Sequence, residues 1–125
     1  MQAHTIKLYK FDEHSNQWSL EAASVSPNFF NANEDAAAAK PKWYLEVSDA
    51  ETEVSDQFNF EETGLRVIFQ GEGIWALRFP SLQKYQDFHN LYNDKLFENT
   101  FGMASDDVNR NKVLALLPRE QSVLI

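Results

Sequence analysis

The chain of 125 residues fits one domain, and that length suffices for a core without covalent staples. It has no cysteine, which removes disulfides and thiolate metal sites and is compatible with a reducing compartment. A formal net charge of −8 and a pI near 4.7 exclude the basic footprint that sequence-independent binding of nucleic acid or anionic lipid requires.

Thr5 to Phe11, TIKLYKF, alternates Ile6 and Leu8 against Lys7, Tyr9 and Phe11, a strand pattern. Asp12 to Asn16, DEHSN, is turn chemistry. Gln17 to Val25 resumes as the second arm of a hairpin, with Trp18 and Leu20 on one face. Ser26-Pro27 ends it. Asn28 to Lys42, NFFNANEDAAAAKPK, lacks alternation and reads as a long loop with a helical turn at Ala36 to Ala39. Within it, Phe29 and Phe30 either pack back on the domain or stand out as a hydrophobic handle.

Trp43 to Val47, WYLEV, sends Trp43, Leu45 and Val47 one way and Tyr44 and Glu46 the other. Asp49 to Asp56 has only Val54 as an interior residue, so a strand there is short and at an edge. Phe58 and Phe60 keep a two-residue period up to the Gly64 turn. Leu65 to Gln70 then places Leu65, Val67 and Phe69 on one face. Gly71-Glu72-Gly73 is a tight hairpin, after which Trp75, Leu77 and Phe79 point inward and Arg78 outward.

Pro80 stops this strand, and Ser81 is placed to cap a helix. Leu82, Tyr85, Phe88, Leu91, Tyr92, Leu96 and Phe97 recur at steps of three and four, one apolar stripe. Gly102 stands at the C-terminal cap, which makes the helix about 20 residues and roughly 30 Å long. Beyond it, Ser105 or Asp106 opens a second short helix, or Val113 to Leu117 forms a strand, and Pro118 ends either. The reading is α+β: a barrel of about seven antiparallel strands in meander order, capped by one long C-terminal helix. That is the pattern of the pleckstrin-homology-like superfold, shared by modules that bind lipids, phosphotyrosine, proline motifs and Ran. Residues 1–104 make the domain; residues 105–125 are a tail whose SVLI ending packs on the domain or leads elsewhere.

No catalytic constellation emerges, and the chain reads as non-enzymatic. His4, His14 and His89 are scattered without ligand spacing, so neither metal nor cofactor is expected. Phosphate and nucleophile motifs are missing, and the hairpin glycines account for Gly71 and Gly73. The first hairpin loop, Asp12 to Asn16, lacks the lysines and arginines a lipid head group needs. Aromatics make up 14% of the chain, and Trp18, Trp43, Trp75, Phe69, Phe79 and Phe88 are assigned to the core. Between Trp43 and Leu65, by contrast, Glu46, Asp49, Glu51, Glu53, Asp56, Glu61 and Glu62 stand without a lysine or arginine among them. The expected site is therefore a protein-binding surface built from Glu46, Glu51, Glu53 and Asp56, with Tyr44, Phe29 or Phe30 as apolar anchors for a basic partner. Nucleic acid and membrane are not expected partners, and the cytoplasm or nucleus is the expected location.

Several segments together resemble the pleckstrin-homology-like domain of the vacuolar import and degradation protein twenty-seven family, whose plant branch is Defective in Embryo and Meristems. They are LYKFD at Leu8 to Asp12, the Trp18 strand, WYLEV, WALRF at Trp75 to Phe79, and YQDF at Tyr85 to Phe88. The most specific is LFENTFG at Leu96 to Gly102, followed by SDDVNRNKV at Ser105 to Val113. The resemblance implies an intracellular, non-enzymatic protein with a β-propeller-like region that these residues do not include. It also implies a scaffold alternative, in which the tail docks on such a propeller or on a second copy. The first strand and Trp18 are similar to those of Ran-binding domains, which makes the GTPase Ran a partner to test. Two departures count against Ran: Ser19-Leu20-Glu21-Ala22 replaces a K-E-R-G-type run, and the chain is acidic.

Overall fold

A computed structural model describes residues 5–33 and 40–116. The chain runs through β1 (Ile6–Asp12), β2 (Gln17–Val25), β3 (Asn28–Asn31), β4 (Trp43–Val47), β5 (Ala50–Glu53), β6 (Asn59–Glu61), β7 (Arg66–Gly71) and β8 (Gly73–Arg78). Helices α1 (Leu82–Phe101) and α2 (Asp107–Ala115) follow. The fold is α+β, with a five-stranded antiparallel sheet in the order β2-β1-β8-β7-β6 and a three-stranded one in the order β3-β4-β5. Because β1 pairs with β8, the meander wraps back on itself, but no ladder joins β2 to β3 or β5 to β6. The expected barrel of about seven strands is thus corrected to two sheets with two open seams. Pro27, which has no N–H to offer a ladder, sits at the first seam.

Alternation decides which residues fill the space between the sheets. Leu8, Val67, Phe69 and Leu77 come from one sheet and Leu45 and Val47 from the other, all essentially inaccessible to solvent. Helix α1 lies across one end. Its Phe88 ring is 5.3 Å from Phe29 of β3 and 5.2 Å from Phe79 beyond β8. Tyr92 packs 5.0 Å from Phe58 and 4.7 Å from Phe60, and donates its hydroxyl to the Ser55 carbonyl at 2.5 Å. Ser81 caps the helix by accepting from the Lys84 amide, and Gly102 closes it at φ 68°.

Three expectations are corrected. Asn28–Asn31 is a strand rather than loop, because Phe29 turns into the core and Asn31 Oδ1 accepts from the Asn33 and Lys42 amides to close the turn. Trp18 is outside the core, 38% exposed beside Phe11 on the outer face, since register shifts in the β1–β2 ladder give the inward places to Ala22 and Val25. Leu82 and Leu91 are exposed, whereas Phe97 is buried. Leu91 falls to the side of the line through Tyr85, Phe88 and Tyr92, and Phe97 is covered by Phe101 and the Arg110 guanidinium. Of the two alternatives for the segment after Gly102, the helix holds: Val113 lies in α2, capped by Asp106. The Ala36 to Ala39 turn, Pro118 and the SVLI ending fall outside the described residues.

The far end of α1 is tied to the three-stranded sheet through one side chain. Asn99 accepts from the Trp43 amide at 2.7 Å and donates to the carbonyls of Trp43 and Val54 at 3.1 and 3.0 Å. Glu98 takes the Trp43 indole N–H at 2.7 Å on one oxygen and the Ser105 amide on the other. Asn99→Ala strands the Trp43 amide and the Val54 carbonyl at a partly buried junction, while the Trp43 carbonyl keeps the Val54 amide, so urea unfolding should show a loss of about 1–3 kcal/mol. His89 gives a second test. Its ring stacks on Phe60 at 3.7 Å, and burial lowers its pKa despite the opposing charge of Glu62. Below its ordinary value of 6.5 the unfolded chain binds a proton that the folded chain resists, so stability should fall as the pH drops from 7 towards 5. His89→Gln should flatten that part of the pH profile.

Candidate functional site

In an antiparallel ladder, residues directly opposite each other share a face. On the three-stranded sheet Phe29, Leu45 and Thr52 line up inward, as do Val47 and Ala50. The outward rows are Phe30, Tyr44 and Glu53, then Asn28, Glu46 and Glu51. Phe30 and Tyr44 stack at 5.6 Å, and the Lys42 ammonium lies 6.0 Å from the Tyr44 ring. Glu46, Glu51 and Glu53 are exposed. Among the described residues the ion pairs are Arg66–Glu61 and Arg110–Asp94, so none of these three carboxylates has a cation within salt-bridge distance.

Of the expected site residues, Tyr44, Glu46, Glu51 and Glu53 therefore come together, with Phe30 as their aromatic companion. Phe29 does not join them, because it packs into the core against Phe88. Asp56 lies beyond β5, accepting from its neighbour Gln57, and its charge acts on Tyr92 instead. Burial first, and Asp56 second, push the Tyr92 phenol above its usual value. Glu61 is taken up by Arg66 across the β6–β7 ladder. Asp12, in the first hairpin loop, is held below the usual carboxylate range by the His14 amide and the Ser15 hydroxyl.

Opposite charge gathers on the other sheet. Lys7, Arg78, Arg66 and Glu61 form one outward row across β1, β8, β7 and β6. Next to this row, Tyr9, Ile68, Ala76 and the exposed Trp18 line a groove of about 290 Å³. A second cavity, of about 600 Å³, opens where the β4–β5 and β7–β8 turns approach Lys10 and Trp75. Sequence reasoning missed Lys10, although the Ile6, Leu8, Lys10 alternation places it on the inner face.

These features define an α+β domain whose smaller sheet presents an unneutralised acidic face with an aromatic pair. The chain belongs to a domain family of unknown function, DUF7135, whose model matches residues 3–115. Comparison with curated proteins gives no match. Among the described residues no helix is long and apolar enough to cross a membrane.

Glu46 and Glu51 face each other directly, an arrangement that costs stability. Glu51→Lys turns this repulsion into attraction and should stabilise the fold by about 0.5 kcal/mol in urea unfolding, a gain that shrinks in roughly 1 M salt.

Proposed function

We propose that the chain is a pleckstrin-homology-like protein-interaction domain that binds a basic segment of a protein partner on the outer face of β3, β4 and β5. The observation that carries this is the row of unpaired carboxylates Glu46, Glu51 and Glu53 beside the stacked Phe30–Tyr44 pair. A meander of eight strands in two sheets with a long helix across one end supports the superfold. The activity is binding rather than catalysis, since these carboxylates lie on an open sheet surface instead of facing one another across a cleft. Aromatic rings supply contact area at small entropic cost, and the carboxylates supply steering and register. The cytoplasm or nucleus is the proposed location, and Ran is one partner to include.

A second reading is a scaffold that self-associates. It is favoured by the complementarity of this acidic face to the Lys7–Arg78–Arg66 row on the other sheet. Sedimentation of the chain at rising concentration separates the two, because a free binding module stays monomeric.

Calorimetric titration with a lysine- and arginine-rich peptide carrying one aromatic residue tests the first reading. Affinity should fall with added salt, and the triple variant E46K/E51K/E53K should weaken it by about 10–100-fold while circular dichroism stays unchanged. Unchanged affinity in that variant would falsify the placement.

A further inference from the structure

The outer face of the five-stranded sheet carries a charge pattern that the described residues answer only in part. Lys7 stands directly opposite Arg78, and Arg78 directly opposite Arg66, so three of the chain's 11 lysines and arginines form one line. Like charges so placed repel. Arg66 is relieved by Glu61, and Gly64 makes room for that pair: a Cβ there would lie 2.8 Å from Arg66 Nε and 3.0 Å from Glu61 Oε1. Lys7 and Arg78 make no ion pair among the described residues. Two residues further along the strands, the next outward row is Leu20, Tyr9, Ala76, Ile68 and Asn59. Ala76 has the smallest side chain of the five. It forms the floor of the groove of about 290 Å³, between walls of Tyr9 and Ile68, with Trp18 reaching in from β2. Trp18 and Leu20 are 38% and 53% exposed, large apolar side chains left in water on this face. The groove stands at the bottom of the range of roughly 300–1,000 Å³ for small-molecule pockets, which suits one side chain rather than a cofactor.

We propose that this groove binds an extended acidic segment of a second protein partner, one that carries an apolar residue two positions before a carboxylate. The apolar side chain rests on Ala76 between Tyr9 and Ile68, against Trp18, and the carboxylate meets Arg78 and Lys7. The spacing comes from the sheet. Two residues of an extended chain span about 7 Å, the same step that separates Ala76 from Arg78 along β8, so a segment lying along β8 matches both rows at once. The proposal goes beyond the basic-segment reading, which concerns the smaller sheet, and does not rest on it. Charge decides against a nucleic acid, because the two cations left unpaired in this row, on a chain of net charge −8, offer no track for a polyphosphate. Shape decides against a second copy. Its Tyr44 is stacked on Phe30, so its acidic face offers a flat pair of rings rather than one projecting side chain.

The test is a titration of the whole chain, labelled with nitrogen-15, followed by two-dimensional NMR. The probe is a short peptide, blocked at both ends, of glycine and serine with one leucine and, two positions after it, one glutamate. A control peptide of the same composition places the glutamate directly after the leucine. The Trp18 indole and the Ala76 and Ile68 amides should shift with the probe, which should bind roughly threefold to tenfold more tightly than the control. Arg78→Gln should remove most of that difference. Arg78 is exposed and lies between two cations, so the variant should fold at least as well as the native chain. Equal affinity for the two peptides overturns the proposal, as does an Arg78→Gln variant that keeps the native preference, or the lack of any shift at Trp18, Ala76 and Ile68. Tighter binding of a short oligothymidylate at these residues assigns the groove to nucleic acid and overturns it as well. So does sedimentation that shows dimers which Arg78→Gln dissolves, since that gives the row to a second copy.

Discussion

The side chain of Asn99 closes a gap that the strands leave open. The two sheets share no ladder at either seam, so backbone pairing alone does not fix the three-stranded sheet against the five-stranded one. Asn99 accepts from one main-chain amide and donates to two carbonyls where β4 begins and β5 has just ended, and so adds helix α1 to that sheet as a side-chain continuation of its hydrogen bonding. The Val54 amide in turn bonds the Trp43 carbonyl, so this corner forms a closed network. Net hydrogen-bond energies of about 1 kcal/mol each make the network comparable to burying one large apolar side chain. One turn away from Asn99, Lys95 lies 3.8 Å over the Trp43 ring and Glu98 holds its indole, so the ring is fixed on two sides.

The position of that sheet determines what its outer face can do. Leu45, Val47 and Ala50 are buried underneath, and each fully buried aliphatic side chain of Val or Leu size contributes about 1.5–3 kcal/mol. Facing Glu46 with Glu51 costs at most about 1 kcal/mol, which the inner face offsets with a margin. The sheet can therefore hold like charges in register without splaying. A solvated face with no binding role would gain stability by placing a lysine at either position. A row of mutually repelling carboxylates beside two stacked rings is what a surface selected for a cationic partner would retain.

Much of this was legible in the sequence wherever a single period decided the answer. WYLEV and WALRF alternate cleanly and are strands with the predicted faces; Ser81 and Gly102 cap α1 as their chemistry requires. Tyr44 and Glu46 share a face by period two, but only the acidity of the stretch groups Glu51 and Glu53 with them. The two-residue turn at Ser48-Asp49, which sets the register of β4 against β5, is what brings all four together. Trp18 could not be placed in this way, since period two says that Trp18 and Leu20 share a face without saying which face is inside. The bulged β1–β2 ladder settles that. Phe29 and Phe30 form a strand too short to show alternation, and its partner β4 lies beyond an intervening segment of the chain. The LFENTFG run stood out as a pattern, but its physical cause did not. Glu98 and Asn99 act on Trp43, more than fifty residues earlier, and nothing local to the helix points there.

Incomplete closure also links the two ends of the molecule. At the helix end, Phe88, Tyr92 and Asn99 fill and bond what the seams leave open. At the other end, where the β4–β5 and β7–β8 turns meet Lys10, no element among the described residues plays that part, and the interior runs out into a carboxylate-rimmed cavity with Trp75 at its wall. A fully paired barrel would draw β2 towards β3 and narrow this mouth. The seam at Pro27 and the shifted register of β2 keep the sheets apart there. Since α1 holds the sheets together from the opposite end, through Asn99 on β4 and Phe88 on β3, the mouth can stay open without loosening the core.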